Sequence, residues 1–514
     1  MVKNTILERF DFDLEDELLV PLKSMDVIIE AISTLNEDQL EAFFRIMNFL
    51  EAEVQDNENI YLSLEGYAGT GKTYLIKKIA SCIRGTVALT APTNKAVKVL
   101  ANMGAKDENT EYATIHKLLA LRVKWTKPRK GSNEEPKQIL VRNYKVQPTV
   151  NDYDLLVIDE SSMLDDDLFI MLDRERQGNL KVIFMGDPAQ IPPVNRTDSI
   201  PLIAEEREKW RIEHVVLEKN MRQTDDNTIL PVAYQIRNRR FENQDPLLSR
   251  ISNANVKFYS SLHMEDKREF VRKMLEYFLS GEFKEDANFC KAIAWRNKTV
   301  NNLNTMVRTA FYKGKRLQKI MPEERLIADK PIFDRNGEAM IFTTSEEFVV
   351  KEVIETTLEY KLPDKGSELL EQYEMDIPGT EVTGTKLNTN IYTFKLYKCL
   401  TDIGKNIEVL HEDSEKTFWF MMRKLKARKN WDEYTKMIER FAQVKYNYAI
   451  TAHKAQGSTY GTVFLIEDDI DTNPKTLERN RIKYTACTRP KDNLFILSKH
   501  NLRKALQETA VSNA

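Results

Sequence analysis

The chain is poor in cysteine, lacks long apolar runs and has almost no net charge, and each shortage removes a class of protein. Its four cysteines, Cys82, Cys290, Cys399 and Cys487, lie far apart and make no metal-ligand spacing, which fits a reducing, cytosolic setting. No stretch approaches the ~18 apolar residues of a membrane span. The first residues are acidic where a signal peptide carries basic ones, so the sequence predicts a soluble intracellular protein. A formal net charge of -3 over 514 residues neither proclaims nor excludes a polyanionic partner, and local patches must decide. That length predicts roughly three or four domains.

What is present is organised around Gly66-Tyr67-Ala68-Gly69-Thr70-Gly71-Lys72-Thr73, which follows the apolar run Ile60 to Glu65 and opens a helical pattern. In that strand, loop and helix order, the glycines turn backbone N–H groups inward around a polyphosphate, and the helix N-terminus adds partial positive charge. Lys72 is placed to reach the β- and γ-phosphates of ATP and Thr73 to hold Mg²⁺. Upstream, residues 1–35 form an acidic extension with eight acids against three bases in its first 33 positions. Asn36 then caps a helix with Gln39 in its first turn, and a glutamine ahead of a phosphate loop is suited to an adenine edge.

Downstream, the strand Thr86 to Thr90 delivers Pro92, Thr93 and Asn94 to the edge where open α/β sheets bind ligands, and Thr114-Ile115-His116 follows a short loop. Asp154 to Ile158 is apolar enough to be a central strand and ends in Asp159 and Glu160. Asp159 suits a Mg²⁺ ion held through water, and Glu160 suits proton removal from an attacking water. Another buried strand, Leu180 to Met185, leads to Gln190, suited to sensing a γ-phosphate. These pieces make a RecA-like P-loop domain over 36–118 and 150–215. It is interrupted at 119–149 by a basic β-hairpin carrying Trp125, with eight Lys/Arg against two acids between Leu121 and Lys145.

The ordered set Gly-x-Gly-Lys-Thr, Ala-Pro-Thr-Asn-Lys-Ala, Thr-Ile-His, Asp-Glu-Ser-Ser-Met and Gly-Asp-Pro-Ala-Gln-Ile-Pro-Pro-Val resembles the motifs of superfamily 1 helicases, in the RecD/Dda-like branch. Phage Dda-type DNA helicases are the nearest likeness. The blocks Glu218 to Gln223, Cys290 to Tyr312, Tyr446 to Thr459 and Tyr484 to Arg489 are similar to the second motor domain of that family.

The resemblance implies an α/β fold of two RecA-like domains, parallel sheets with flanking helices, the second over 216–330 and 444–514. An SH3-like barrel and helical arm would be inserted at 331–443. It also implies that Gly66, Ala68, Gly69, Thr70, Gly71 and Gly457 join Gln39, Lys72 and Thr73 around ATP, with Arg222 and Arg489 on the γ-phosphate. Pro92, Thr93, Asn94, Thr114 and His116 of one domain, and Asn297, Thr451, His453 and Lys454 of the other, would hold single-stranded DNA.

The implied activity is ATP-dependent DNA unwinding, 5′ to 3′, in replication, recombination or repair. It would act as a monomer in a bacterial cytoplasm or a phage-infected cell, with forked or tailed duplexes and with single-strand-binding or replisome proteins as partners. The same motifs also suit a single-strand translocase, an RNA helicase or protein displacer, or a non-catalytic ATP-binding recruitment module. The run Phe418-Trp419-Phe420 with Arg423, Lys424, Lys426, Arg428 and Lys429 reads equally as a DNA contact or as a helix packed on the barrel.

Overall fold

A computed structural model of the chain describes residues 20–54, 58–102, 108–126, 128, 134–193, 198–219, 228–247, 250, 252–334, 340–362 and 391–500. The acidic stretch before residue 20, Arg222, the hairpin tip at 129–133 and most of the loop 362–385 lie outside the described residues.

The first lobe takes in residues 20–35, expected as part of the acidic extension: Val20, Leu22 and, from the helix Met25–Ile32, Ile28, Ala31 and Ile32 are buried in its core. A helix over Glu37–Glu51 follows. Asn36 accepts from the Gln39 N–H at 2.8 Å while Gln39 Oε1 accepts the Asn36 N–H at 3.4 Å, a reciprocal capping box. Strands β1 (Tyr61–Gly66), β2 (Val87–Ala91) and β3 (Thr110–Thr114) precede the hairpin β4 (Leu121–Trp125) and β5 (Gln138–Arg142). The lobe continues with β6 (Leu155–Ile158), β7 (Lys181–Gly186) and β8 (Glu213–Leu217). Its sheet runs β3-β2-β6-β7-β1-β8, parallel throughout. Every residue of β1, β2, β6 and β7 is buried, as strands covered by helices on both faces must be. The C-terminal edge of this sheet therefore carries the phosphate loop after β1, Thr93 after β2, the acidic pair after β6 and Asp187 after β7.

The second lobe starts with the helix Ile229–Asn238, whose Ile229, Val232, Ala233 and Ile236 share its core, followed by β9 (Val256–Ser260) and β10 (Cys290–Ala294). Then come the strands of the insertion: β11 (Arg325–Ala328), β12 (Ile332–Phe333), β13 (Met340–Phe342), β14 (Glu347–Lys361), β15 (Ile391–Thr401), β16 (Asn406–Leu410) and β17 (Val444–Tyr446). The chain returns with β18 (Ala449–Thr451), β19 (Tyr460–Ile466) and β20 (Pro490–Ser498). These last three join β9 and β10 in a second parallel sheet, β18-β10-β19-β20-β9.

Both parallel sheets fall in one compact unit, residues 1–122, 141–311 and 448–514. The other unit holds 123–140 and 312–447. In it, β16-β15-β14-β11-β17 form an antiparallel sheet, and helices Glu415–Ala427 and Trp431–Arg440 bury Phe418, Met421, Leu425 and Met437 against Phe394 and Phe441. Several boundaries differ from the sequence expectation, among them the end of the first motor domain, since β8 reaches Leu217 in the first sheet rather than stopping at 215. Residues 325–328 and 444–446, assigned to the second motor domain, pair in this antiparallel sheet as β11 and β17. Strands of three or four residues carry too little alternation to reveal their sheet.

The hairpin is also fastened inside this second unit. The Trp125 indole donates to Glu439 at 2.6 Å, Lys330 lies 6.0 Å from its ring centroid, and Lys426 pairs with Glu135. Trp125 is thus half-buried on the arm.

Candidate active site and strand-contact residues

The phosphate loop is shaped by its own atoms. Gly71 has φ +82°, a conformation L side chains avoid, and a Cβ on Gly66 would sit 2.6 Å from Thr70 Oγ1. Lys72 donates to the Gly66 and Tyr67 carbonyls at 2.6 and 3.1 Å. Burial lowers its pKa, against the pull of Asp187, Asp159 and Glu160. Gln39 anchors the loop by donating to the Thr70 carbonyl at 3.2 Å, so its amide already serves the cap and the loop together.

Opposite, the two carboxylates after β6 strain and charge the site. Glu160 has φ +52°, unusual for a side-chain-bearing residue, and its N–H donates to Asp159 Oδ1 at 2.8 Å. Burial, with the Glu160 charge beside it, pushes the Asp159 carboxyl up to about 7. Two half-buried acids side by side, in a cleft that Thr73 also lines, fit a divalent cation. Gln190 is buried and its Oε1 has no hydrogen-bond partner among the described residues, an acceptor left open beside the loop.

One cleft gathers these groups. It is lined by Ala68, Gly69, Lys72, Thr73, Asp159, Glu160, Asp187 and Gln190 from the first lobe and by Gly457, Ser458, Thr459, Thr488 and Arg489 from the second. Arg489 is buried there and donates to the Thr485 and Ser458 carbonyls and the Thr488 hydroxyl at 2.9, 3.3 and 2.9 Å. Gly457 has φ +67°, and a Cβ there would meet Ala96 Cβ at 3.1 Å, so only glycine lets the lobes approach so closely at that point.

Several second-lobe residues at the loop are absent from the sequence expectation. The Tyr484 hydroxyl donates to Asp187 Oδ2 at 2.6 Å and accepts the Ala68 N–H at 3.3 Å. Tyr234 donates to the Ala68 carbonyl at 3.2 Å, and the Arg237 guanidinium lies 3.4 Å from the Tyr67 ring centroid. Both belong to the helix Ile229–Asn238, whose apolar pattern reads as core packing and whose polar face gives no motif. The loop after Gln190 is tied to the same lobe, because the Ile191 N–H donates to Thr485 Oγ1 at 3.2 Å and Gln456 donates to the Ile191 carbonyl at 2.7 Å.

The residues expected at a strand fall into two matching halves. In the first lobe, β2 is followed by Pro92, Thr93 and Asn94, and its neighbour β3 by Thr114-Ile115-His116-Lys117. In the second, β10 is followed by Arg296 and Asn297, and its neighbour β18 by Thr451-Ala452-His453-Lys454. Thr114 and Thr451 each accept the N–H three residues on, at 3.2 and 3.3 Å. Burial lowers the pKa of both His116 and His453, leaving neutral imidazoles at neutral pH. Asp469 accepts from the Trp295 and Arg296 N–H groups at 2.8 and 2.7 Å and from Arg296 Nε at 2.6 Å, and Asn297 stands exposed beyond that clamp.

The chain is similar to several known proteins. The AAA domain family matches residues 34–250, and the UvrD-like helicase C-terminal domain family matches residues 446–497. The ATP-dependent DNA helicase dda of Enterobacteria phage T4 is 23% identical over 485 residues, covering 90% of this chain and 98% of its own. Protein R530 of Acanthamoeba polyphaga mimivirus is 26% identical over 490 residues, covering 86% of this chain and 96% of its own. A crystal structure of Pif1 helicase from Bacteroides in complex with ADP-AlF3 and ssDNA is 16% identical, with a TM-score of 0.43, over 92% of this chain and 96% of that one.

Proposed function

We propose that this chain, which belongs to the superfamily 1 helicases of the RecD/Dda-like branch, hydrolyses ATP to move 5′ to 3′ along single-stranded DNA and to open duplexes in replication, recombination or repair. The observation that carries this proposal is the shared cleft, where Lys72, Glu160 and Gln190 of one lobe face Arg489 of the other.

Lys72 exchanges its two carbonyl partners for phosphate oxygens when ATP enters. Glu160 accepts a proton from the attacking water, and Arg489 turns toward the developing charge. Thr73 and Asp159 would hold a Mg²⁺ ion, which when bound supplies neutralising charge to the β- and γ-phosphates. Gln190 senses the γ-phosphate by donating its side-chain Nε2–H to it, while its open Oε1 accepts from the attacking water. Its neighbour Ile191 is bonded to Thr485, on the helix that leads to Arg489, and to Gln456, two residues beyond Lys454. Loss of phosphate is therefore felt at a strand-contact segment through two hydrogen bonds.

The paired half-sites support the translocation step. Pro92, Thr93, Asn94, Thr114 and His116 grip the strand on one lobe, Asn297, Thr451, His453 and Lys454 on the other, and alternate closure moves it. Arg222 is assigned to the γ-phosphate beside Arg489 on the resemblance of its motif. The SH3-like closure of the antiparallel sheet and the use of the 119–149 hairpin as a strand-separating pin belong to the same proposal. Direction follows from the branch. It is tested with ATP and duplexes bearing only a 5′ or only a 3′ tail, in DNA and in RNA: opening of the 5′-tailed DNA is expected. Opening of the 3′-tailed duplex alone would overturn the direction, and opening of RNA alone would overturn the substrate.

A further inference from the structure

The arm helix Glu415–Ala427 and the turn after it are strongly basic. From 415 to 430 there are six basic residues, Lys416, Arg423, Lys424, Lys426, Arg428 and Lys429, against the single acid Glu415. The helix divides its aromatics by face. Phe418 is buried with Met421, Met422 and Leu425, whereas Trp419 is 51% and Phe420 43% exposed. Core packing explains the first set and leaves the second unexplained, since water-facing indole and phenyl rings gain nothing by exposure. Lys424 lies 4.8 Å from the Phe420 centroid, so that ring already carries a cation on its face.

Beside Trp419 is a recess whose other walls are Met422, Tyr434 and Glu135 of the hairpin, with Arg423 and Lys426 on its rim. Lys426 is neutralised by Glu135. Arg423 is exposed, with no acid paired to it among the described residues. An indole, a phenol and a thioether around an opening guarded by a free guanidinium present stacking surface and one positive charge. An unpaired nucleotide offers the complement, a π-face and one phosphate. An acidic peptide would satisfy the charge and leave the stacking surface unused.

We infer that the recess between hairpin and arm is an accessory site for an unpaired nucleobase, stacked on Trp419 with its phosphate on Arg423. The inference rests on the nucleic-acid substrate proposed above and extends it to a surface outside the paired half-sites. The same chemistry is offered by the strand the motor tracks and by the strand it displaces, and the two are separable by experiment.

The test uses the full chain on forked DNA carrying 5-iodouracil in either the tracking or the displaced arm, with photocrosslinking and peptide mapping, beside strand-stimulated ATPase. Crosslinks to 415–434 from one arm support the site and name its strand. The pair Trp419→Ala/Arg423→Ser is expected to lose those crosslinks and to bind the fork about tenfold more weakly, the weight of one stacked base. Trp419→Phe alone is expected to keep most of the affinity. If ATPase responds to strand while neither arm crosslinks to 415–434, or an acidic peptide alone occupies the recess, the site is wrong and the motor stands. If strand does not stimulate ATPase, the helicase proposal fails and this site with it.

Discussion

Tyr484 shows how much one side chain does at the nucleotide cleft. Its hydroxyl donates to the buried Asp187 carboxylate and receives the Ala68 N–H, so one phenol from the second lobe holds two first-lobe loops. Burial next to Asp187 raises its pKa well above the ordinary phenol value, and it stays a donor at every working pH. Tyr484→Phe leaves that carboxylate short of a charge-assisted hydrogen bond, and chemical denaturation is expected to show a loss of about 1.5–3 kcal/mol. Lys72→Ala is expected to abolish ATP hydrolysis while single-strand affinity changes less than about threefold, because among the described residues Lys72 bonds to Gly66 and Tyr67 and to none of the residues proposed at the strand.

At this scale the sequence is legible wherever chemistry is local. The capping box, the phosphate loop and the acids after β6 are each set by neighbours within a few positions. Tyr234, Arg237 and Tyr484 reach the loop only through the packing of segments more than 160 residues away, as Tyr234 to Ala68 shows, and no spacing encodes that.

Among the elements, two polar networks fix what packing alone leaves loose. In the second lobe, Arg250 bridges Asp245 and Glu467 at 2.5 and 2.6 Å, and Lys483 bridges Glu467 and Asp471 at 2.8 and 2.6 Å. These pairs join the segment before β9, the short helix Glu467–Ile470 after β19 and the helix Thr476–Cys487. The cations hold the Glu467 pKa well below the carboxylate range despite its burial. A group depressed in the folded state adds stability that is present above its unfolded pKa and is lost as pH falls through the folded one. Thermal stability is therefore expected to fall steadily below about pH 4.3, the unfolded glutamate value. Glu467→Gln should be less stable at neutral pH and flatter over the acid range; an unchanged slope would show that the network does not set it.

The hairpin is the other case. Its basic strands were readable, but its anchorage was not, because Glu439 sits on a helix over 300 positions away, at a separation of 314 from Trp125. Trp125→Phe keeps the ring and removes the N–H. Unwinding of a tailed duplex is expected to slow several-fold with strand-stimulated ATPase unchanged. Equal loss of both would assign Trp125 to folding.

Over the whole molecule, the two parallel sheets were legible because buried strands announce themselves by composition, as β1, β2, β6 and β7 do. The insertion was legible only in part, since β11 and β17 are too short to show which sheet they join. The proposed function depends on a relation no segment contains alone: in it, ATP bound by the first lobe is completed by Arg489 of the second. The most direct test compares Arg489→Ala with the wild type in ATP affinity and in strand-stimulated turnover. A guanidinium acting on the transferred phosphate predicts turnover lowered about 10³-fold or more with ATP affinity within about tenfold. Turnover at the wild-type rate would contradict the shared-cleft account.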